Sequence, residues 1–140
     1  MADILHWIEV EAPPAAVFEA LTTEPGLSAW WTADVEALPV EGSVAVFGFN
    51  DRAVVFRMRI DELTPNERVR WTCLGDFDEW KGTRLEFALS PATDGTAIHF
   101  SHRGWDSIEG FYRQCNTDWG RLMYYLKDHL EGGRDGPMMA

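Results

Sequence analysis

The fold is decided by residues 53–74, which read AVVFRMRIDELTPNERVRWTCL. Apolar and polar residues alternate on both sides of Pro65-Asn66, and a period of two is typical of strands with one buried face. Pro and Asn at the centre predict a turn. The stretch therefore predicts a hairpin. Its inward face would carry Phe56, Met58, Val69 and Trp71.

The register of this hairpin follows if Pro65-Asn66 is a two-residue loop. Thr64 then pairs with Glu67, and Asp61 pairs with Arg70. The turn and the apolar pattern predict the same register, which supports it. The opposite face is expected to be solvated and to hold weak ion pairs. It carries Arg57, Arg59, Asp61, Arg68 and Arg70.

The same alternation predicts further strands on both sides of the hairpin. They span residues 4–11, 34–38, 43–49, 83–90 and 96–104. Asp94-Gly95, between the last two, is a strong signal for a second hairpin. The sheet is therefore expected to be antiparallel.

Two short helices are predicted between the first two strands. Pro14 suits the first turn of a helix, and Thr23 suits the N-cap of the next one. Leu27, Trp30 and Trp31 follow with the i, i+3, i+4 spacing of a helical face.

A long helix is predicted over about residues 107–130, ended by Gly132-Gly133. Its apolar stripe has helical spacing. The stripe consists of Ile108, Phe111, Cys115, Trp119, Leu122, Leu126 and Leu130. Residues 1–131 are expected to form one domain, and residues 132–140 a flexible tail.

The order of elements predicts an α+β fold. A curved antiparallel sheet of six to seven strands packs on the long C-terminal helix, with two short helices after the first strand. Because the curvature of the sheet and the radius of the helix do not match along their whole length, space remains between them. That space is either filled by aromatic side chains or open to a ligand.

Composition excludes several classes of function. The chain has 140 residues, and its 12 Lys+Arg against 23 Asp+Glu give a formal net charge of −11. This balance argues against nucleic acid, which needs a basic surface, and against anionic membranes. No apolar run is long enough to insert into a bilayer.

The compartment is expected to be the cytoplasm. The N-terminus lacks the basic and apolar regions of a secretory signal. Without such a signal, Cys73 and Cys115 are expected to be reduced thiols.

Particular motifs then resemble a known family. They are Val10-Glu11-Ala12-Pro13, Val17-Phe18-Glu19-Ala20-Leu21-Thr22, Pro25-Gly26-Leu27, Trp30-Trp31, residues 60–69, Gly82-Thr83, Gly95-Thr96 and His102-Arg103-Gly104-Trp105, followed by a helix with Trp119 and Leu122. Over about residues 4–130 the chain is similar to the START-like, Bet v 1-like superfamily, also called SRPBCC. Within it, the chain most resembles proteins related to the C-terminal domain of the activator of Hsp90 ATPase.

The resemblance implies a helix-grip fold but not one function, because the superfamily includes lipid carriers, hormone receptors, cyclases and chaperone activators. The Hsp90 activators have a separate N-terminal domain that is important for their activity. The present 140 residues leave no room for such a domain.

The aromatic residues favour a small soluble protein that binds an apolar or amphipathic small molecule between sheet and helix. His102 and Tyr112 would orient the polar end of the ligand. The apolar contacts would come from Trp31, Phe47, Phe49, Phe56, Met58, Trp71, Phe87, Phe100, Phe111, Cys115 and Trp119.

Signals for chemistry are sparse. His102 is the one histidine that strand parity directs inward, and it could serve as a general base. A nucleophile and base formed by Cys115 and His102 would lack a third orienting group. The spacing of Cys and His does not suit a metal. No metal or cofactor is expected, and no catalytic residue is assigned.

Two other functions stay open. The cavity could belong to an enzyme of the cyclase or dehydratase type, or the protein could be a chaperone-interacting module like the Hsp90 ATPase activators. A homodimer is a further possibility.

Overall fold

The computed structural model describes residues 2–133 and 136–139. The strands are β1 (Ala2–Val10), β2 (Asp34–Glu36), β3 (Val44–Phe49), β4 (Val54–Thr64), β5 (Arg68–Cys73), β6 (Arg84–Ala92) and β7 (Gly95–Trp105). The helices are α1 (Pro14–Thr22), α2 (Glu24–Trp30) and α3 (Phe111–Leu130). The strands form one antiparallel sheet in the order β1-β7-β6-β5-β4-β3-β2. The predicted α+β fold is confirmed.

Helices α1 and α2 meet at a close turn. The Thr23 side chain caps α2 by accepting a hydrogen bond of 3.0 Å from the Gly26 backbone N–H. A side chain at position 26 would come within 2.6 Å of the Glu19 carbonyl oxygen, so glycine permits this approach. The Trp30 indole N–H then donates to the Ala20 carbonyl at 2.9 Å. These contacts fix the position of Trp31 at the end of α2.

The predicted register of the β4–β5 hairpin was wrong by one residue. Thr64 pairs with Arg68 and not with Glu67, because Asn66 has a left-handed backbone (φ 64°) and lengthens the loop. A bulge at Asp61 then restores the alignment. As a result Asp61 does not pair with Arg70, which lies opposite Glu62.

The charged face of this hairpin is solvated, as its alternation predicts. Its arginines contact carboxylates on the same face of the sheet. The ion pairs join Arg59 to Asp61, Arg57 to Asp76, and both Arg68 and Arg70 to Glu62 and Glu86.

Helix α3 starts four residues later than predicted. Gly110 has a φ of 64°, which ends the preceding loop, and the helix begins at Phe111. The Glu79 carboxylate accepts the Phe111 backbone N–H at 3.0 Å and so caps the helix. Ile108 lies before the helix and is exposed, so its predicted place in the apolar stripe was wrong.

The stripe itself holds α3 against the sheet. Cys115, Trp119, Leu122 and Leu126 are all buried. At the edge of the sheet, the Tyr112 hydroxyl donates to the Asp3 carbonyl at 2.9 Å. The Lys127 ammonium donates to the Glu9 carbonyl, also at 2.9 Å. The free edge of β1 is therefore covered by side chains of α3.

The final described residues contact the end of α2. Backbone N–H groups of Met138 and Met139 donate to the carbonyls of Trp30 and Trp31 at 3.1 and 2.9 Å. Ala33 donates in turn to the Met139 carbonyl at 3.2 Å. The chain thus returns to the end of α2. Residues 134, 135 and 140 of the predicted tail lie outside the described part of the structure.

Within residues 2–133 and 136–139, no helix combines the length and the apolar character that spanning a bilayer requires.

Candidate functional site

Aromatic rings pack against one another in the space between the sheet and α3. Trp31 is at the centre of this packing. Its ring centroid lies 4.4 Å from that of Phe47, 5.0 Å from Trp119 and 6.2 Å from Trp71. Of the two outcomes expected for this space, filling by side chains holds for the middle of the sheet.

One end of the space stays open as a cavity of about 190 Å³. Its aromatic walls are Trp31, Phe49, Phe56, Trp80, Phe111 and Trp119. Val54, Cys115, Leu122 and Met139 complete the apolar part, and Asn50 and Asp118 supply the polar groups. An apolar concave surface with few polar groups is the usual form of a small-molecule site.

Two larger depressions, of about 240 and 350 Å³, lie on the outer face of the sheet. Arg70, Arg84, Glu86 and Arg103 contribute to their walls. Charged side chains line both depressions, whereas the walls of the aromatic cavity are mainly apolar, so that cavity is the stronger candidate for an apolar ligand.

The residues predicted from the sequence divide between cavity and core. Trp31, Phe49, Phe56, Phe111, Cys115 and Trp119 line the cavity. The other apolar candidates are buried deeper, in the filled core. They are Phe47, Met58, Trp71, Phe87 and Phe100. Strand and helix periodicity direct both groups inward, and they do not determine which residues border open space.

His102 is fully buried and belongs to a hydrogen-bonded chain. The Trp119 indole N–H donates to His102 Nδ1 at 3.2 Å. His102 Nε2 lies 2.8 Å from Thr83 Oγ1, and the Thr83 hydroxyl donates to the Trp80 carbonyl at 2.5 Å. Because the single hydroxyl proton is used there, Nε2 carries the proton of a neutral imidazole. Both ring nitrogens therefore have partners.

The electrostatics of His102 agree with a structural role. Burial lowers the pKa of the imidazole to about 3, so the ring is uncharged at neutral pH. Its Nδ1 lone pair is occupied by Trp119 and is not available to take a proton from a ligand. His102 fixes the orientation of Trp119, whose ring lines the cavity.

Tyr112 and Cys115, the remaining polar candidates, are also unsuited to act on a ligand. The Tyr112 hydroxyl binds the backbone of β1 and does not reach the cavity wall. Burial raises the pKa of the Cys115 thiol to about 12. The thiol is therefore protonated at neutral pH, which is unfavourable for a nucleophile.

Sequence reasoning missed Trp80, which lies in the polar loop between β5 and β6. Its ring stacks on Phe56, with centroids 4.0 Å apart, and its indole N–H donates to Cys115 Sγ at 3.3 Å. Alternation carries no information about a loop residue. The signal that could have revealed it was composition, because Phe77 and Trp80 are large apolar residues among acidic ones.

Five further residues on the cavity wall were not predicted. They are Asn50, Val54, Asp118, Leu122 and Met139. Met139 is far from the others in sequence and reaches the cavity because the C-terminal residues return to α2. The described residues contain no cluster of His, Cys, Asp and Glu that could hold a metal.

Comparison with protein families gives one match that covers most of the chain. Residues 11–131 match the family model described as "Activator of Hsp90 ATPase homolog 1-like protein". No curated protein matches the sequence.

Several solved structures are similar to this fold. The Aha1 protein from Colwellia psychrerythraea, determined in solution as a dimer, is 36% identical, with a TM-score of 0.88. The similarity covers 96% of this chain and 99% of that one. A protein from Mesorhizobium loti is 17% identical, with a TM-score of 0.82 and coverage of 95% and 99%. A protein from Chromobacterium violaceum is 22% identical, with a TM-score of 0.79 and coverage of 95% and 98%. The last two similarities concern the fold alone.

Proposed function

The chain belongs to the Activator of Hsp90 ATPase homolog 1-like family, and from the shape of its cavity we propose that it binds a small apolar or amphipathic molecule. The ligand would enter at the open end between α3, the loop before β6 and the strands β3 and β4. A cavity of about 190 Å³ accommodates a compact molecule, since an apolar cavity of about 150 Å³ binds benzene.

The observation that carries this proposal is the wall of the cavity. Six aromatic rings surround the space, while Asn50 and Asp118 supply its polar groups. This combination provides apolar contact area together with a few groups that orient a ligand. Binding is favoured over catalysis because hydrogen bonds occupy both ring nitrogens of His102, and burial keeps the Cys115 thiol protonated.

Filling the cavity from the helix side tests the proposal. Cys115→Trp is expected to abolish binding of tert-butylbenzene and of its trimethylammonium analogue while the domain stays folded, since overpacking typically costs about 1–3 kcal/mol. Tryptophan emission during a titration would measure binding, because Trp31, Trp80 and Trp119 face the cavity.

The matched control is Asn116→Trp, which adds the same ring one residue further along α3, at an exposed position. This variant should bind like the wild type. Equal affinity of a folded Cys115→Trp variant would place the ligand elsewhere, and the absence of saturable binding by the wild type would contradict the proposed function.

We also propose that the chain forms a homodimer, as its 36% identical relative does in solution. Leu5 and Trp7 lie on the outer face of β1 and are 61% and 59% exposed. Because side chains of α3 cover the edge of β1, a second copy would dock on this face and not by adding a strand to β1.

Light scattering coupled to size exclusion would measure the mass in solution. Trp7→Glu is expected to shift the protein from dimer to monomer. Tyr124→Glu, at a residue of α3 that is 62% exposed, should leave the mass unchanged. A monomeric wild type at high concentration would contradict this proposal.

A further inference from the structure

Six of the twelve residues that line the cavity are aromatic. Trp31, Phe49, Phe56, Trp80, Phe111 and Trp119 come from five separate parts of the chain and converge on one space. The faces of aromatic rings are negative and attract cations, most strongly when water is excluded. Such a space therefore has an electrostatic preference in addition to its apolar character.

Asp118 adds a second group that favours a cation. It lies on α3, one residue before Trp119, and is half-buried at the cavity wall. Its Oδ1 accepts a hydrogen bond of 3.0 Å from the Gln114 side chain. Among the described residues, nothing donates a hydrogen bond to Oδ2. One carboxylate oxygen is therefore free for a ligand.

No positive group of the wall balances this carboxylate. Of the described residues that line the cavity, Asp118 is the only Asp, Glu, Lys or Arg. Arg52, two residues after Asn50, is held away by Asp34 at 2.7 Å and by Glu36 at 2.6 Å. The chain as a whole carries a formal charge of −11. An anion would thus meet repulsion both at a distance and at the wall.

We propose that the ligand of this cavity is a small organic cation, an amine or quaternary ammonium group attached to an apolar body. The apolar body would contact the rings, and the cation would lie against their faces and beside Asp118. A neutral ligand of the same shape would cover the carboxylate without compensating its charge, which is unfavourable. This inference rests on the proposed function, since it names the chemistry of the molecule that the cavity binds.

Three probes of nearly the same shape separate charge from size. They are phenyltrimethylammonium, tert-butylbenzene and benzenesulfonate, which are positive, neutral and negative. Titration of the wild type, followed by tryptophan emission, should show the cation binding at least about tenfold more tightly than the neutral probe. The sulfonate should bind more weakly than both.

Asp118→Asn keeps the shape of the side chain and removes its charge. It should weaken binding of the cation about fivefold or more. Binding of tert-butylbenzene should become tighter, because the neutral probe no longer covers an uncompensated charge. The matched control is Asp94→Asn, in the turn between β6 and β7 beside the Lys127 end of α3. It removes the same charge far from the cavity, so both affinities should stay as in the wild type.

The salt dependence of binding by the wild type provides a second measurement. It needs no variant, so it does not depend on whether a variant folds. Added sodium chloride should weaken binding of the cation and leave the neutral probe unaffected. Equal affinities for cation and neutral probe, or tightest binding of the sulfonate, would overturn the inference while the proposed binding function stands. If none of the three probes binds, the binding function itself fails.

Discussion

The indole N–H and the ring of Trp119 have different partners. Its indole N–H is fixed by His102, and its ring contacts Trp31 with a centroid distance of 5.0 Å. The orientation of a ring at the cavity wall therefore depends on a neutral histidine beneath it. This dependence makes the stability of the fold sensitive to protons.

Acid is expected to destabilise the protein through His102. The pKa of His102 is about 3 in the folded chain and near 6.5 when unfolded. Below pH 6.5 the unfolded chain binds a proton that the folded chain does not, so stability falls by up to about 1.4 kcal/mol per pH unit. Above pH 6.5 the contribution is fully present. Urea unfolding between pH 7 and pH 4 would measure this slope.

His102→Gln is the matched comparison, because glutamine retains a donor and an acceptor but does not titrate in this range. Subtracting the variant's slope of unfolding free energy against pH from that of the wild type gives the contribution of His102. The contributions of the many carboxylates cancel, because both proteins contain them. Parallel plots of unfolding free energy against pH for the two proteins would contradict the conclusion that folding keeps His102 neutral.

A second residue-scale prediction compares two buried tryptophans. The Trp30 indole N–H donates to Ala20, whereas the Trp71 indole N–H has no partner among the described residues. Trp30→Phe leaves a carbonyl without its partner, so it should cost about 1 kcal/mol more than Trp71→Phe. Chemical denaturation of both variants measures the difference. A larger loss for Trp71→Phe would show that its N–H is bonded after all.

At the scale of elements, the β4–β5 hairpin shows what the sequence can and cannot specify. The alternation of Phe56 and Met58 predicts the inward face correctly. It does not predict the bulge at Asp61, because a bulge changes the parity of a strand without any change in composition. After the bulge, Leu63 lies opposite Val69, so the apolar pairing is recovered.

The loop of this hairpin should be sensitive to backbone conformation at Asn66. Its φ of 64° is unfavourable for residues with a Cβ, though asparagine tolerates it better than most. Asn66→Ala is expected to cost about 1 kcal/mol, whereas Asn66→Gly should be close to neutral. Denaturant midpoints would measure both. Equal losses would indicate that Asn66 does not have the left-handed conformation.

The candidate site was partly predictable for a similar reason. Residues on strands and on α3, such as Phe56 and Trp119, were placed on the inner surface by their periodicity. Trp80 and Met139 lie outside regular elements, where their position depends on tertiary contacts. Periodicity also treats Phe56 and Phe87 alike, although only Phe56 borders the cavity. The volume left open depends on how the side chains pack, and no local pattern encodes it.

For the whole molecule, the return of the chain to α2 couples its C-terminus to the cavity. Deletion of residues 136–140 removes the backbone hydrogen bonds at Trp30 and Trp31, so a loss of about 1–2 kcal/mol is expected. Thermal unfolding would report this loss. Met139→Ala keeps the backbone contacts and is the control, with a smaller loss. An unchanged melting temperature after the deletion would mean that these contacts do not stabilise the fold.

The same arrangement affects how the protein is prepared for study. A purification tag fused after residue 140 would begin two residues after Met139, which lines the cavity. It would crowd the opening and compete with any probe. A tag at the N-terminus would instead extend from β1, where Ala2 pairs with Trp105. Conversely, a fluorophore attached at the C-terminus would be placed to report the arrival of a molecule at the opening.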